Sequence, residues 1–315
     1  MTGSAAKVWA LHLAVLAALA LAPFVLPAYH ATNLARIMVL AVFAMGYNLA
    51  FGYTGLLSLG HALFFAAGLY ATGLLITQAG TSAALALPTG IAAGAVTAVL
   101  IGLLALRTTG TAFMIVTLMF AQAGYLAILY FGGVTRGDEG FTLPRAARAL
   151  GPLDLSLDGP RYALALALFA LALLAGLALV RSPTGRILVA VRENAERTRM
   201  LGYDPFRARL LALTLSGLYA GAAGAAYALL FGYVGATFAS VQYSILPLLW
   251  VLLGGAGTVL GPFLGTVLMF YLLDLASRVT DATLLVVGLA LIILVLFAPR
   301  GLLGALRTRA LPWLP

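Results

Sequence analysis

Apolar residues in this chain gather into ten runs separated by polar or glycine-rich stretches, near 8–26, 34–51, 56–77, 84–106, 111–131, 161–180, 207–230, 244–255, 262–276 and 282–298. Most approach the roughly 20 residues that a helix needs to cross the hydrocarbon core of a bilayer. The pattern predicts an all-α, polytopic membrane helix bundle of about ten hydrophobic segments, some broken or re-entrant, forming a single domain over 1–315. The run after Lys7 is longer than the about 7–15 residues of a signal-peptide core and reads as the first membrane helix.

Two segments depart from simple spans. At 52–60 the chain enters its helix through Gly52, Gly55 and Gly60; at 254–262, Gly254, Gly255, Gly257, Gly261 and Pro262 separate two short apolar runs. Glycine and proline at this density leave backbone groups unpaired, which hydrocarbon tolerates only where protein or a water-filled path surrounds them. Paired glycine-interrupted segments in the two halves of a chain point to a path through the membrane. Two tight interhelical turns are the alternative reading.

The polar stretches set an orientation. Segment 181–209 carries seven arginines (Arg181, Arg186, Arg192, Arg197, Arg199, Arg207, Arg209), whereas loop 132–160 carries three (Arg136, Arg145, Arg148) beside four acids (Asp138, Glu139, Asp154, Asp158). The positive-inside tendency makes 181–206 a cytoplasmic loop and 132–160 an external one. Ten segments then place Lys7, Arg107, Arg300, Arg307 and Arg309 inside as well, so that both termini are cytoplasmic. Within Ser182–Gly202, Leu188, Val191, Ala195 and Thr198 recur at helical spacing, and Arg192 with Glu196 and Glu193 with Arg197 stand four apart, predicting one short amphipathic helix. Gly202 terminates it, and Asp204 and Pro205 supply the cap and first turn of the next span. Such a helix serves either as a rigid docking lever or as a solvated loop gripping anionic headgroups.

Composition narrows the class further. Of 315 residues 63% are hydrophobic and 9% charged, against about a quarter charged in soluble domains. No cysteine is present, which excludes disulfides, thiolate metal sites and cysteine nucleophiles. The net charge of +9 comes from 17 arginines and one lysine, and their clustering points to the cytoplasmic face of a bilayer rather than to nucleic acid. Gly217 with Gly221, and Ala220 with Gly224, place small residues four apart, a device for close helix approach in lipid that serves either internal packing or a partner subunit. Asn48, Ser58, His61, Thr117 and Gln122 are polar groups within apolar runs, where such groups face a bundle interior or an aqueous path. For His61 a structural interhelical hydrogen bond outweighs a role on a substrate. Asp274 and Asp281 fall at or beyond the end of a helix, leaving no buried carboxylate relay, and His12 and His30 look incidental. No His and carboxylate pair has metal-ligand spacing.

Several blocks resemble the permease subunits of branched-chain amino-acid ABC importers. They are Asn48 to Phe64, through Gly52, Gly55, Ser58, Gly60 and His61; Phe113 to Thr117; Thr135 to Gly140; Ser182 to Arg186, then Arg192, Glu193, Asn194, Ala195 and Gly202; and Ser244 followed by Gly254, Gly255, Gly257, Gly261 and Pro262. The ordered set covers roughly residues 40–300. The resemblance implies a passive transport subunit of a bacterial plasma (inner) membrane that pairs with a second homologous permease, docks two cytosolic ATPases and receives substrate from a periplasmic or extracellular binding protein. It places Arg186, Arg192, Glu193, Asn194, Ala195 and Gly202 in the loop coupled to the ATPase. Asn48, Gly55, Ser58, His61, Phe64, Thr117, Gln122, Gly254, Gly255 and Gly257 would line or gate the path. Arg197 and Thr198 depart from the small residues expected of that loop. A phosphate-binding loop needs a Gly-Lys-Ser/Thr end, and the sole lysine is Lys7, so ATP would be bound by partner subunits and the chain itself carries no cofactor. The alternatives are a permease of this type for urea or short amides, a stand-alone ion-coupled transporter, and a membrane enzyme, for which no catalytic constellation stands out.

Overall fold

The computed structural model describes residues 2–279, residues 300–309, and 282, 285, 286, 288, 289, 292 and 296 between them. Nine of the ten apolar runs coincide with helices: α1 (Thr2–Val25), α2 (Ala28–Thr54), α3 (His61–Thr77), α4 (Ala83–Ala105), α5 (Thr111–Tyr130), α7 (Asp158–Arg181), α10 (Pro205–Phe231), α11 (Val241–Gly254) and α12 (Gly261–Val279). The tenth run, 282–298, and Asp281 lie largely outside the described residues. Six of these helices (α1, α2, α4, α5, α7 and α10) are long and apolar enough to cross a membrane, while α3 and α11 are shorter apolar helices. Helix α6 (Gly132–Thr135) opens the 132–160 loop, and shorter helices α8 (Pro183–Glu193), α9 (Ala195–Met200) and α13 (Gly301–Arg309) lie elsewhere in the chain.

Helix α2 is the axis of the bundle. Every residue from Ile37 to Ala50 is buried, as expected of a helix that is apolar on all sides. Around it, α1, α4, α5 and α7 turn Leu21, Phe24, Leu100, Met119 and Leu171 outward, the apolar surface that a lipid solvent covers. Pro23 lies within α1 and has no N–H to donate to the Leu19 carbonyl four residues back. The Tyr162 hydroxyl of α7 donates to that carbonyl instead, at 2.6 Å, so the proline fixes how α7 meets α1.

The small-residue stripe of α10 packs internally. A Cβ on Gly221 would stand 2.8 Å from the Gly94 Cα of α4, and one on Gly224 would stand 2.0 Å from the Phe65 carbonyl of α3. Gly94 makes the reciprocal approach, and Gly68 of α3 comes equally close to Gly221. Three helices therefore meet backbone to backbone, which is how helices gain dispersion energy in lipid, where burial itself drives nothing.

The two polar stretches sit at opposite ends of α10, whose 27 residues span about 40 Å. After its C-terminal end, strand β4 (Tyr233–Val234) pairs antiparallel with β1 (Phe141–Thr142) of the 132–160 loop. Strands β2 (Ala149–Leu150) and β3 (Leu153–Asp154) form a small hairpin in the same loop. Arg148 is buried against Gly232, the left-handed cap of α10, where a Cβ would come within 2.5 Å of Arg148 Nη1; a cation there complements the negative end of the helix dipole.

At the other end, Ser182 caps α8, Pro183 opens it, and Asp204 caps α10 through Phe206 and Arg207 N–H. The single amphipathic helix predicted for 182–202 is two helices. Asn194 is extended (φ −159°, ψ 101°) and its side chain caps α9 by accepting from Arg197 N–H. That break destroys the four-residue register, and neither Arg192 with Glu196 nor Glu193 with Arg197 is among the ion pairs of the described residues. Leu188, Val191 and Thr198 face inward as expected.

Gly221→Val is expected to destabilise the bundle by about 1–3 kcal/mol or more through overpacking, whereas Gly133→Ala, with open space at its Cβ, is expected to be near neutral. Thermal melting of both purified variants, followed by size exclusion, measures the difference.

Candidate functional site

Both glycine breaks converge on one joint at the α8 end of the molecule. Helix α2 ends in a left-handed Gly55 (φ 71°), whose N–H and that of Leu56 return to Phe51 and Ala50 carbonyls at 3.0 and 2.9 Å. The non-helical chain of 55–60 then runs back beside the last turns of α2, with the Tyr47 hydroxyl donating to the Ser58 carbonyl at 3.0 Å. Helix α3 consequently starts part-way into the bundle, level with Tyr47 and with Ser216 of α10, to which His61 Nε2 is hydrogen-bonded. Protein groups satisfy the exposed backbone: Ser58 Oγ accepts from Gly60 N–H at 3.2 Å, Thr117 Oγ1 from Leu59 N–H at 3.2 Å, and Ser244 Oγ from Ala62 N–H at 3.0 Å. Ser58 and Gly60 are buried and Gly55 is exposed, so the broken segment runs from the surface of the joint into the protein.

The second break is held by the first. Asn48 donates through Nδ2 to the Thr258 carbonyl and accepts through Oδ1 from Gly257 N–H, both at 2.9 Å. One α2 side chain thus takes the place of a secondary-structure partner for a loop in which Gly255 (φ 122°) and Gly257 (φ 74°) adopt conformations closed to other residues. Gly254 lets α11 and α12 cross: a Cβ there would stand 1.7 Å from the Gly261 carbonyl. The Arg192 guanidinium of α8 donates to the Gly52 carbonyl and lies 3.3 Å from where a Gly257 Cβ would be, while its Cγ is 3.3 Å from where a Gly55 Cβ would be. Two glycines, Gly55 and Gly257, make room for one arginine.

The remaining predicted positions separate into three groups. His61 and Phe64 are fully buried, with the His61 ring edge-on to Tyr47 and Phe64 at 4.6 and 5.1 Å; the interhelical hydrogen bond expected of His61 is present. Arg186, Glu193, Asn194 and Gly202 are exposed and Ala195 half-buried on the α8–α9 surface, with Gly202 left-handed (φ 90°). Gln122 is half-buried on α5 and, among the described residues, has none of the hydrogen bonds that draw Thr117 into the joint. His30 is not isolated: its Nδ1 is 3.2 Å from the Tyr271 hydroxyl. Beside it, Asp274 lies within α12, accepts from Tyr29 at 2.7 Å and pairs with Arg278 at 2.9 Å.

Arg36, which the polar positions above do not include, stands inside the second apolar run, where an ionisable side chain marks function by default. It lies about 12 Å along α2 from Ala28, with its guanidinium 5.0 Å from the Phe231 ring centre. Its Nε and the Nδ2 of Asn33, three residues earlier, are buried donors without a partner. Nearby, Phe65, Tyr227, Phe238 and Tyr243 form a continuous aromatic cluster, with centroids 5.0–5.9 Å apart.

Replacing Asn48 with Leu leaves Gly257 N–H and the Thr258 carbonyl unpaired, at about 1–3 kcal/mol for each buried group. A lower melting temperature is expected, together with faster hydrogen exchange confined to 255–260; unchanged exchange there would show that the clasp carries no load.

The family model of the branched-chain amino acid transport system permease component matches residues 30–297. The high-affinity branched-chain amino acid transport system permease protein LivM of Escherichia coli is 29% identical over 294 residues, covering 86% of this chain and 69% of that protein. The autoinducer 2 import system permease protein LsrC of Klebsiella pneumoniae is 39% identical over 102 residues, 30% of this chain and 29% of that protein. The probable branched-chain amino acid transport permease protein LivM of Methanocaldococcus jannaschii is 33% identical over 101 residues, 31% of this chain and 29% of that protein. No solved structure matches the chain significantly. With its several apolar helices, the chain is therefore a multi-pass transport subunit of the plasma (inner) membrane and belongs to the family of branched-chain amino acid transport system permease components.

Proposed function

We propose that this chain is the translocation subunit of an ATP-driven importer of branched-chain amino acids, worked by separate cytosolic ATPases that dock on α8 and α9. The observation that carries the reading is the Arg192 contact: the surface helix α8 reaches the Gly52 carbonyl at the point where both broken segments meet. A push on the exposed residues Arg186, Glu193, Asn194 and Gly202 would be delivered directly to the backbone of α2 and, through Asn48, to the α11–α12 loop. Ten segments with both termini cytoplasmic, a second homologous permease, and a binding protein seated on the 132–160 loop complete the assembly.

Substrate chemistry is supported at the opposite end of α2. A zwitterionic apolar amino acid presents a carboxylate, for which Asn33 and Arg36 hold unpartnered donors, and an aliphatic side chain, for which the aromatic cluster is a suitable wall. An arginine in a membrane span costs about 2.5–3.5 kcal/mol at its centre, a cost that a neutral solute such as urea would not require. Along the proposed path, Ser58, His61, Thr117 and Gln122 would offer dipoles without fixed charge beside the apolar Phe64, so that substrate is not retained.

Three outcomes test the proposal. In proteoliposomes with the ATPase and binding protein, leucine uptake is expected to require hydrolysable ATP; uphill uptake by the isolated chain would refute it. Arg36→Gln is expected to lower leucine uptake by about tenfold or more, corresponding to one lost charge-assisted hydrogen bond, with ATPase binding retained. Since the natural sequence has no cysteine, Pro152→Cys and Met200→Cys, both at exposed sites, are expected to react with an impermeant thiol reagent from outside and only after lysis, respectively; the reverse pattern would invert the topology.

A further inference from the structure

Arg192 also faces a cavity of about 410 Å³ whose walls include Arg300, Arg307 and the loop residues Ala256, Gly257 and Thr258. Arg192 is distant in the chain from Arg300 and Arg307, and their convergence is built into the backbone. Gly301 (φ 71°) lies so close to Gly255 that a Cβ on it would stand 2.5 Å from the Gly255 Cα, and a Cβ on Gly255 would stand 2.8 Å from Gly304 N. That approach seats α13 on the 255–258 loop and turns Arg300 and Arg307 into the same space as Arg192. Among the described residues the ion pairs are Arg161–Asp158, Arg207–Asp204 and Arg278–Asp274, none of which involves these three. Three exposed arginines thus line one cleft, and no carboxylate is among the residues of its walls.

We propose that Arg192, Arg300 and Arg307 form a binding site for a phosphate-bearing anion. Planar guanidinium forks match phosphate oxygens two at a time; inorganic phosphate presents four oxygens to the three forks, and a phosphodiester presents two non-bridging oxygens with several lone pairs between them. The cavity is large enough for a phosphate with part of a headgroup attached. Two sources present this chemistry: the phosphodiester of an anionic lipid, drawn to a basic membrane face, and a free phosphate in solution. In either case the anion ties α8 to α13 and to the 255–258 loop, so occupancy would stiffen the joint that Arg192 makes with Gly52. The site does not depend on which solute the protein carries.

The test uses the purified, delipidated full chain and the Arg300→Gln/Arg307→Gln double variant; Arg192 is left intact because it also holds the joint. One arm titrates inorganic phosphate against chloride at matched ionic strength and follows melting temperature. The other incubates the protein with phosphatidylglycerol or phosphatidylcholine and counts retained lipid by native mass spectrometry. Saturable stabilisation by phosphate identifies a free anion as occupant; selective retention of phosphatidylglycerol without a phosphate effect identifies the headgroup. Each lost charge-assisted hydrogen bond weakens binding by about tenfold, so the double variant is expected to bind about a hundredfold more weakly. Arg300→Lys/Arg307→Lys, which keeps the charge and loses the forks, is expected to fall between the two and shows that the loss is not misfolding. No saturable binding in either arm, or equal binding by the double variant, overturns the proposal.

Discussion

The fold turns on the grip of Asn48 on the Gly257–Thr258 peptide. Both glycine breaks leave backbone donors and acceptors without helical partners, and each such group costs free energy if it is buried unsatisfied. A single amide, with one donor and one acceptor placed on the most buried helix, answers the second break, and the side chains of Ser58, Thr117 and Ser244 answer the first. Irregular chain is therefore stable here only because α2 stands between the two breaks. The same constraint explains the glycines: with Asn48 Oδ1 2.0 Å from where a Gly52 Cβ would be, and Gly257 N 2.6 Å from it, no larger residue could admit the loop.

Away from the joint, the bundle is held by close backbone approach. Gly68, Gly90, Gly94, Gly217, Gly221 and Gly224 bring α3, α4 and α10 together at separations that leave no room for a Cβ. Lipid tails are as apolar as leucine, so exclusion from solvent contributes little to this packing and dispersion contributes most of it. The consequence is mechanical. A stiff three-helix block lies along α2 and links the end bearing α8 to the end bearing the β1–β4 pairing, while the glycine-rich joint remains the compliant element beside it.

The sequence exposed the membrane class, nine helices, both breaks, the stop at Gly202 and the cap at Asp204, because run length, glycine density and capping chemistry are local properties. The part that was not legible is relational. Spacing alone treated 182–202 as one helix, since the inward positions Leu188, Val191 and Thr198 do continue a helical rhythm; the extended Asn194, capping a new helix, interrupts the chain without interrupting that rhythm. The small residues of α10 could equally have served a partner until α4 was seen to carry matching glycines. Among the candidate path residues, Asn48, Ser58, His61 and Thr117 do come together around the break at 55–60, whereas Gln122 does not, and a list of polar positions has no means of separating them. Convergence of Arg192, Arg300 and Arg307 on one cleft likewise has no counterpart in sequence distance.

The joint has a strength suited to a device that must change state. Shifting a two-state element from almost wholly one form to almost wholly the other takes about 5.5 kcal/mol of differential interaction. The Arg192 bond to Gly52 is charge-assisted and the two Asn48 bonds are neutral, and together such bonds contribute on the order of 2.5–6 kcal/mol. A joint of several buried ion pairs would be too costly to leave unpaired when opened, and one of apolar contacts alone would give α8 no directional hold on α2. On the proposed reading, a few hydrogen bonds to backbone, made by side chains that can be withdrawn without stranding a buried charge, would let a docked motor shift the balance while both end states remain folded.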